Sequence, residues 1–419
     1  MESGTSFFER AGQLGAKFFS HFPVSQPRRK EKPVLLFYPP FSDLDELADA
    51  YFKARYFLLP ESISEVIFPV DFAMPFDLDE PELIHKPEYF ADIPLPQPNP
   101  VRITHLSEMN INQELLRADF IFLWDWKTRD AGFFVSSQVN KFKNIDRHSN
   151  TWDGWIWAPF CRSVQPREYH LQQRADAKAQ FNEYVASLPH YSKSYIFGTG
   201  PSLDTAYQYD FSDGYRIVCN TIVKNEALLD HIQPHFIVAA DAIYHFGNTV
   251  HAYRFRCDLE RALVKRKLCF ITQDNFYLLF MYYHPAAARS TVPVRTDLPG
   301  IHLDLTKELA YSNIPNILNG LLLPLGSTLA DEIYMLGFDG RAPADTYFWA
   351  NSSLNSYSEL KPTIMAAHPA FFEGIDYQDY AKEQSDNAEK IMSLGESQGK
   401  RYICLNQTHI PALQKRQRN

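Results

Sequence analysis

His368 stands before Pro369 and the aromatic pair Phe371-Phe372. An imidazole with an ordinary pKa of ~6.5 can take a proton from a hydroxyl at neutral pH, the work of a general base. A second chemical signal is the run Ser194-Tyr195-Ile196-Phe197-Gly198-Thr199-Gly200-Pro201-Ser202-Leu203-Asp204. It drives an apolar strand into two glycines, a proline and a helix-starting serine. Glycine lets backbone come close to a ligand that side chains would exclude, and proline suits the first turn of a helix. The N–H groups and positive dipole end of such a helix suit a phosphate. The expectation is a nucleotide held at Gly198, Thr199, Gly200, Pro201 and Ser202.

This run is not a P-loop, since no Gly-Lys-Ser/Thr follows Gly200. It also lacks the third glycine of the full dinucleotide fingerprint. Three more polar residues end apolar strand-like runs: Asn220, Asp241 and Asp339. In open α/β sheets ligands gather at those carboxyl ends, so Asn220, Asp241 and Asp339 are expected to bind the same nucleotide. Asp43/Asp45 and Asp77/Asp79 have the Asp-x-Asp spacing of a metal-binding transferase motif, but they read as helix caps or solvated charges. Trp124, Trp126, Trp152, Trp155 and Trp157 could stack on sugar faces, and core or interface packing is the plainer reading.

The elements that must position these residues alternate between strand and helix. Apolar strands are expected at 33–40, 66–71, 120–124 and 139–145, with helices at 45–57 and 112–117 and a proline-rich acidic loop at 74–100. A charged helix covers 166–187. Beyond it, strands are expected at 194–198, 215–219, 235–240, 267–272, 332–337 and 401–405, and helices at 203–209, 224–231, 254–265, 315–330 and 377–398. This pattern predicts an α/β chain of two Rossmann-like domains, the C-terminal one with a mostly parallel sheet. The expected divisions are a tail at 1–32, an N-terminal domain at 33–189 and a nucleotide-binding domain at 190–419.

With 419 residues, 45% of them hydrophobic and 15% aromatic, the chain is globular and long enough for two cores. A net charge of −9 argues against a general nucleic-acid binder. The five cysteines are widely spaced without a Cys-x-x-Cys pair, so they read as reduced residues of a cytoplasmic protein. The tail spaces Phe7, Phe8, Leu14, Phe18, Phe19 and Phe22 at near-helical intervals before Arg28-Arg29-Lys30, without the continuous apolar core of a signal peptide. Two readings stay open: a peripheral anchor on the inner face of a membrane, or a helix docked on protein.

The order Gly-Thr-Gly-Pro-Ser-Leu, Val218-Cys219-Asn220, Ala240-Asp241, Met335-Leu336-Gly337-Phe338-Asp339-Gly340 and His368-Pro369 resembles the bacterial CMP-sialic acid-dependent sialyltransferases of glycosyltransferase family 42. It is also similar to other Gly-x-Gly-Pro-Ser-Leu proteins, among them motility-associated flagellin glycosyltransferases and an archaeal pterin diphosphokinase. The resemblance covers residues 193–410. It implies a sialyltransferase-like fold and a CMP-sugar donor touching the glycine loop and Asn220. It also implies a leaving phosphate met by Tyr347, His368 as general base, and no metal. Arg341 stands where the family has a second phosphate tyrosine, and its guanidinium can serve an anion too. Ser312-Asn313-Ile314-Pro315-Asn316 replaces the family's Arg-x-x-Ser-Gly, which leaves sialic acid, Kdo or another acid sugar open. The acceptor implied is a surface or lipid-linked glycan. Two other readings remain: a diphosphokinase using ATP and magnesium on Asp241 and Asp339, and a non-catalytic nucleotide-binding scaffold.

Overall fold

The computed structural model describes residues 32–73, 84–126, 140–312, 314–340, 354–374 and 376–418. The expectations for the tail (save Lys32) and for Asp77, Asp79, Arg341 and Tyr347 lie outside the described residues. The chain forms two compact units. One holds residues up to Tyr169 together with Ala367–Gly374; the other holds His170–Ala366 and Ile375–Asn419. The expected cut at 189/190 thus falls instead inside the helix Arg167–Ser187. That helix belongs mostly to the second unit for a packing reason: Phe181 lies against Phe236, and the Tyr184 hydroxyl donates to the His235 carbonyl at 2.8 Å.

In the first unit, β1 (Val34–Tyr38), β2 (Glu65–Val70), β3 (Val101–His105), β4 (Phe120–Leu123) and β5 (Phe142–Asn144) form one sheet in the order β3-β2-β1-β4-β5. Every pair is parallel. Parallel strands are covered on both faces, so they read as continuous apolar runs. One face is aromatic: Phe37 stacks on Phe68 at 4.4 Å, and Phe122 meets Trp157 edge-on at 5.0 Å. The other is aliphatic: Leu36, Ile67 and Ile121 pack with Leu115 of the helix Ile111–Arg117. Asp43 caps the helix Leu44–Phe57 by accepting from the Glu46 N–H at 2.9 Å, which is the cap reading of that Asp-x-Asp pair.

The second unit contains β6 (Lys193–Phe197), β7 (Gly214–Cys219), β8 (Phe236–Val238), β9 (Cys269–Gln273), β10 (Thr291–Val294), β11 (Glu332–Leu336) and β12 (Arg401–Cys404). Their order is β10-β9-β8-β7-β6-β11-β12, again with parallel pairing throughout. The α/β class with two Rossmann-like sheets therefore holds. Strands β3 and β10 were not expected from the sequence. Pro293 disguises β10, yet an edge strand tolerates a proline that lacks a ladder donor. Cys219, Cys269 and Cys404 are buried free thiols in these strands. Burial pushes Cys219 up to about 12 and Cys404 up to about 11, so they are packing residues.

Three buried imidazoles lie under the same sheet's covering helices. Burial, with His251 and Arg256 nearby, takes His245 down to about 3. Burial likewise takes His251 down to about 4. His284 falls to about 4 through burial and Arg256, against the opposing pull of Glu260. The unfolded chain titrates these groups near 6.5, so between there and about 4 it binds more protons than the folded chain. Their contribution is complete above pH 6.5 and drains away as the pH falls through the folded values. Melting curves should show Tm dropping steadily between about pH 6.5 and pH 4. A flat Tm over that window would mean that these rings are not held neutral.

Candidate functional site

In the second sheet β6 and β11 lie side by side where the winding reverses, with β7 to β10 on one side and β12 on the other. Outside the carboxyl ends of such a pair an α/β sheet opens its ligand crevice. Both strands run directly into a glycine, Gly198 and Gly337. The Gly198 N–H donates to the Leu336 carbonyl at 2.8 Å, and the Gly200 N–H to the Gly337 carbonyl at 2.9 Å. A Cβ on Gly198 would stand 2.5 Å from the Gly337 oxygen. One on Gly337, whose φ is +85°, would run into the Gly198 carbonyl. Only glycine lets the two backbones close in this way.

The glycine loop leads into a 3-10 helix, Pro201–Gln208, with Pro201 in its first turn. Its start is not free. Asp339 accepts from the Ser202 N–H at 3.1 and 3.2 Å and from the Ser202 hydroxyl at 2.8 Å. Gly200 leaves room for that carboxylate, because a Cβ there would overlap Asp339. Burial raises the Asp339 carboxyl above its usual range, against the lowering pull of these Ser202 bonds. The expectation that the Ser202 N–H would face a phosphate is therefore corrected. The chain supplies its own anion at the helix start, for the reason a phosphate would bind there. Asn406 steadies the neighbouring turn by accepting from the Gly337 and Phe338 N–H groups at 3.2 and 3.4 Å.

Asn220 follows β7 with φ +49°, a left-handed conformation rare outside glycine. Its side-chain oxygen Oδ1 is buried and has no hydrogen-bond partner among the described residues. A buried polar atom without a partner calls for an explanation, and this one stands at a strand end. Asp241 does different work. Its Oδ1 accepts from the Ile243 and Tyr244 N–H groups at 2.8 and 2.7 Å, closing the turn after β8.

Around Asn220 the structure adds residues that sequence reasoning missed. The Thr221 hydroxyl donates to the Asn355 carbonyl at 2.6 Å, and Asn225 Nδ2 to Asn355 Oδ1 at 2.9 Å. Asn355 Nδ2 in turn donates to Asp204 at 3.2 Å, and Lys224 Nζ to the Ser356 carbonyl at 2.5 Å. The segment that follows the undescribed 341–353 is thus pinned beside the strand ends. The dense polar run Asn220-Thr221, Lys224-Asn225 directly after an apolar strand was the available signal.

His368 belongs to the first unit, not to the domain of the glycine loop where the sequence reading placed it. It is 1% exposed, and Nδ1 lies 2.7 and 2.8 Å from the two oxygens of Asp153. Its Nε2 is buried without a partner among the described residues. Asp153 was also missed; it sits between Trp152 and Gly154 in the aromatic stretch. The first sheet has its own reversal point, between β1 and β4. There Asp43, Asp45 and Glu46 crowd the helix start, an acidic setting hostile to phosphate. Within the first unit Trp152 and Trp155 pack on Phe371, with ring centroids at 5.9 and 6.2 Å.

No family model and no curated protein matches the chain. A solved structure of the sialyltransferase CstII from Campylobacter jejuni with the substrate analogue CMP-3FNeuAc is similar at 13% identity. That likeness covers 53% of this chain and 87% of the other, with a TM-score of 0.26. A second structure of that enzyme, with cytidine-5'-monophosphate, is similar at 13% identity over 54% and 88% of the two chains, with a TM-score of 0.25. A likeness at this level says nothing about individual residues.

The glycine junction and Asn220 make opposite predictions for stability. Gly200→Ala, which forces the Asp339 carboxylate aside, should cost about 1–3 kcal/mol as an overpacking change. Asn220→Gly removes both the left-handed strain and the orphaned oxygen, and should stabilise the fold by about 1 kcal/mol. Chemical denaturation of the two variants checks both signs.

Proposed function

We propose that the chain is a glycosyltransferase of sialyltransferase-like character, moving an acidic sugar from a CMP-sugar to a hydroxyl of a surface or lipid-linked glycan. The observation that carries this reading is Asn220, strained and with a buried unpaired oxygen at a strand end close to the winding reversal. An amide oxygen there can accept from a ribose hydroxyl or the exocyclic amine of a cytosine. The motif order that resembles the sialyltransferases supports the same donor. The reading assigns the nucleotide to the second unit, at Gly198, Thr199, Gly200 and Pro201 and at Asn220, while Ser202 stays committed to Asp339. Asp241 and Asp339 shape the surrounding turns.

In the proposed step the acceptor oxygen attacks the anomeric carbon, the bond from that carbon to the phosphate oxygen breaks, and CMP departs. His368 takes the hydroxyl proton. Asp339 already fills the helix start, so the leaving phosphate falls to Arg341 and Tyr347, a cation and a hydroxyl donor. No metal has a part in this scheme. Among the described residues no helix is long and apolar enough to cross a membrane. Attachment to a membrane surface through 1–32 and a cytoplasmic setting are parts of the proposal.

Thermal-shift measurements with CMP, CDP, UDP, GDP, ADP and ATP, each with and without magnesium, test the donor. CMP without metal should raise Tm, by an amount equivalent to about 2.7 kcal/mol at a hundredfold excess over Kd. Asn220→Gly should lose that shift while staying folded. A response to ATP with magnesium alone would sink the transferase reading in favour of a diphosphokinase. Unimpaired cellular function of His368→Ala with CMP binding intact would point to a scaffold.

A further inference from the structure

We infer that Asp153 is a positioning residue that makes His368 a base at Nε2, so that the proton acceptor of the reaction is a buried dyad built wholly within the first unit. This rests on the reading of His368 given above. A neutral imidazole has one N–H donor and one lone-pair acceptor, and its hydrogen bonds decide which nitrogen is which. A carboxylate can only accept. Both oxygens of Asp153 lie within 2.8 Å of Nδ1, so Nδ1 carries the hydrogen and Nε2 presents the lone pair. Asp153 is 0% exposed and His368 1%, so no solvent competes for this bond. Nε2 has no partner among the described residues.

Both halves of the dyad are held from outside it. On the Asp153 side, Asp146 accepts from the Trp126 and His148 N–H groups at 3.0 and 2.9 Å. Asn150 then ties the same turn by donating to the Asn144 carbonyl at 2.6 Å and accepting from the Trp152 N–H at 2.9 Å. On the His368 side, Lys53 Nζ donates to the Ala367 carbonyl at 3.4 Å, and the Ala370 N–H donates to the Arg147 carbonyl at 3.0 Å. The ring is therefore oriented before any substrate arrives, which is what positioning requires.

The step balances. As the acceptor oxygen bonds to the anomeric carbon and CMP leaves with the electrons of the broken carbon–oxygen bond, the hydroxyl proton passes to Nε2. The imidazolium keeps its Nδ1–H on Asp153, whose charge stabilises it, and the proton is lost to water after CMP is released.

Nitrogen NMR of histidine-labelled protein tests the dyad without any substrate. The resonance absent in His368→Gln identifies the ring. Wild type should show Nδ1 protonated, and Asp153→Asn, whose amide can donate to Nδ1, should show Nε2 protonated. Release of CMP from CMP-N-acetylneuraminic acid or CMP-Kdo tests the consequence: Asp153→Asn should lose at least about a hundredfold in kcat with KM little changed. A wild-type ring protonated at Nε2, or an Asp153→Asn variant with wild-type kcat, would overturn the inference. If wild type releases CMP from neither donor, the transferase reading fails, while the tautomer still decides the dyad.

Discussion

The second unit depends on one close approach, that of the backbones of Gly198 and Gly337. Parallel strands are normally joined only as far as their ladders run. Here β6 and β11 continue past their ends, through the Gly198 N–H on Leu336 and the Gly200 N–H on Gly337. Each such bond contributes only about 1 kcal/mol net. The geometry decides more than the energy, because a Cβ at either glycine would meet a carbonyl oxygen. The approach brings Asp339 over the start of the 3-10 helix and fixes where Ser202 points. It also lies next to the end of β7, which Asn220 follows.

That arrangement redistributes charge in a way that the residue types alone hide. A helix start beside two glycines suggests an empty anion site, but Asp339 occupies it. A phosphate placed on the Ser202 N–H would meet a carboxylate, and Coulomb repulsion at hydrogen-bond distance in a half-buried setting amounts to several kcal/mol. What is left open at the strand ends is a neutral polar group, the Asn220 amide. Its unpaired buried oxygen costs about 1–3 kcal/mol, while asparagine tolerates the left-handed backbone better than most residues. In the proposed reading that amide meets a base or a ribose at this point, not a phosphate.

The sequence carried the strand–helix alternation well, because buried parallel strands are continuous apolar runs and their glycine or asparagine ends stand out. Phe197-Gly198, Cys219-Asn220 and Leu336-Gly337 all end strands within a residue of expectation. Two strands escaped for physical reasons. Thr291-Val292-Pro293-Val294 contains a proline that only an edge position allows, and 101–105 emerges directly from a proline-rich stretch. The occupant of the Ser202 N–H was not legible, since it joins residues 137 apart in sequence. Nor was Asp153, which is 215 residues from the histidine it orients and lies among tryptophans that read as core.

The placement of His368 follows from what holds 367–374. The chain on either side of Ala367–Gly374 belongs to the second unit, so a reading along the chain assigns His368 there too. The fixings are of another kind. Lys53 takes the Ala367 carbonyl, Arg147 the Ala370 N–H, and Asp153 the imidazole, while Trp152 and Trp155 cover Phe371. Closing so long a loop is affordable, because the entropy of loop closure grows only with the logarithm of its length. Leaving it open is not, since Asp153 would then be a buried carboxylate without its partner, a state that costs several kcal/mol. The first unit is therefore complete only with the segment that carries His368, and the same contacts that complete its fold orient the proposed base.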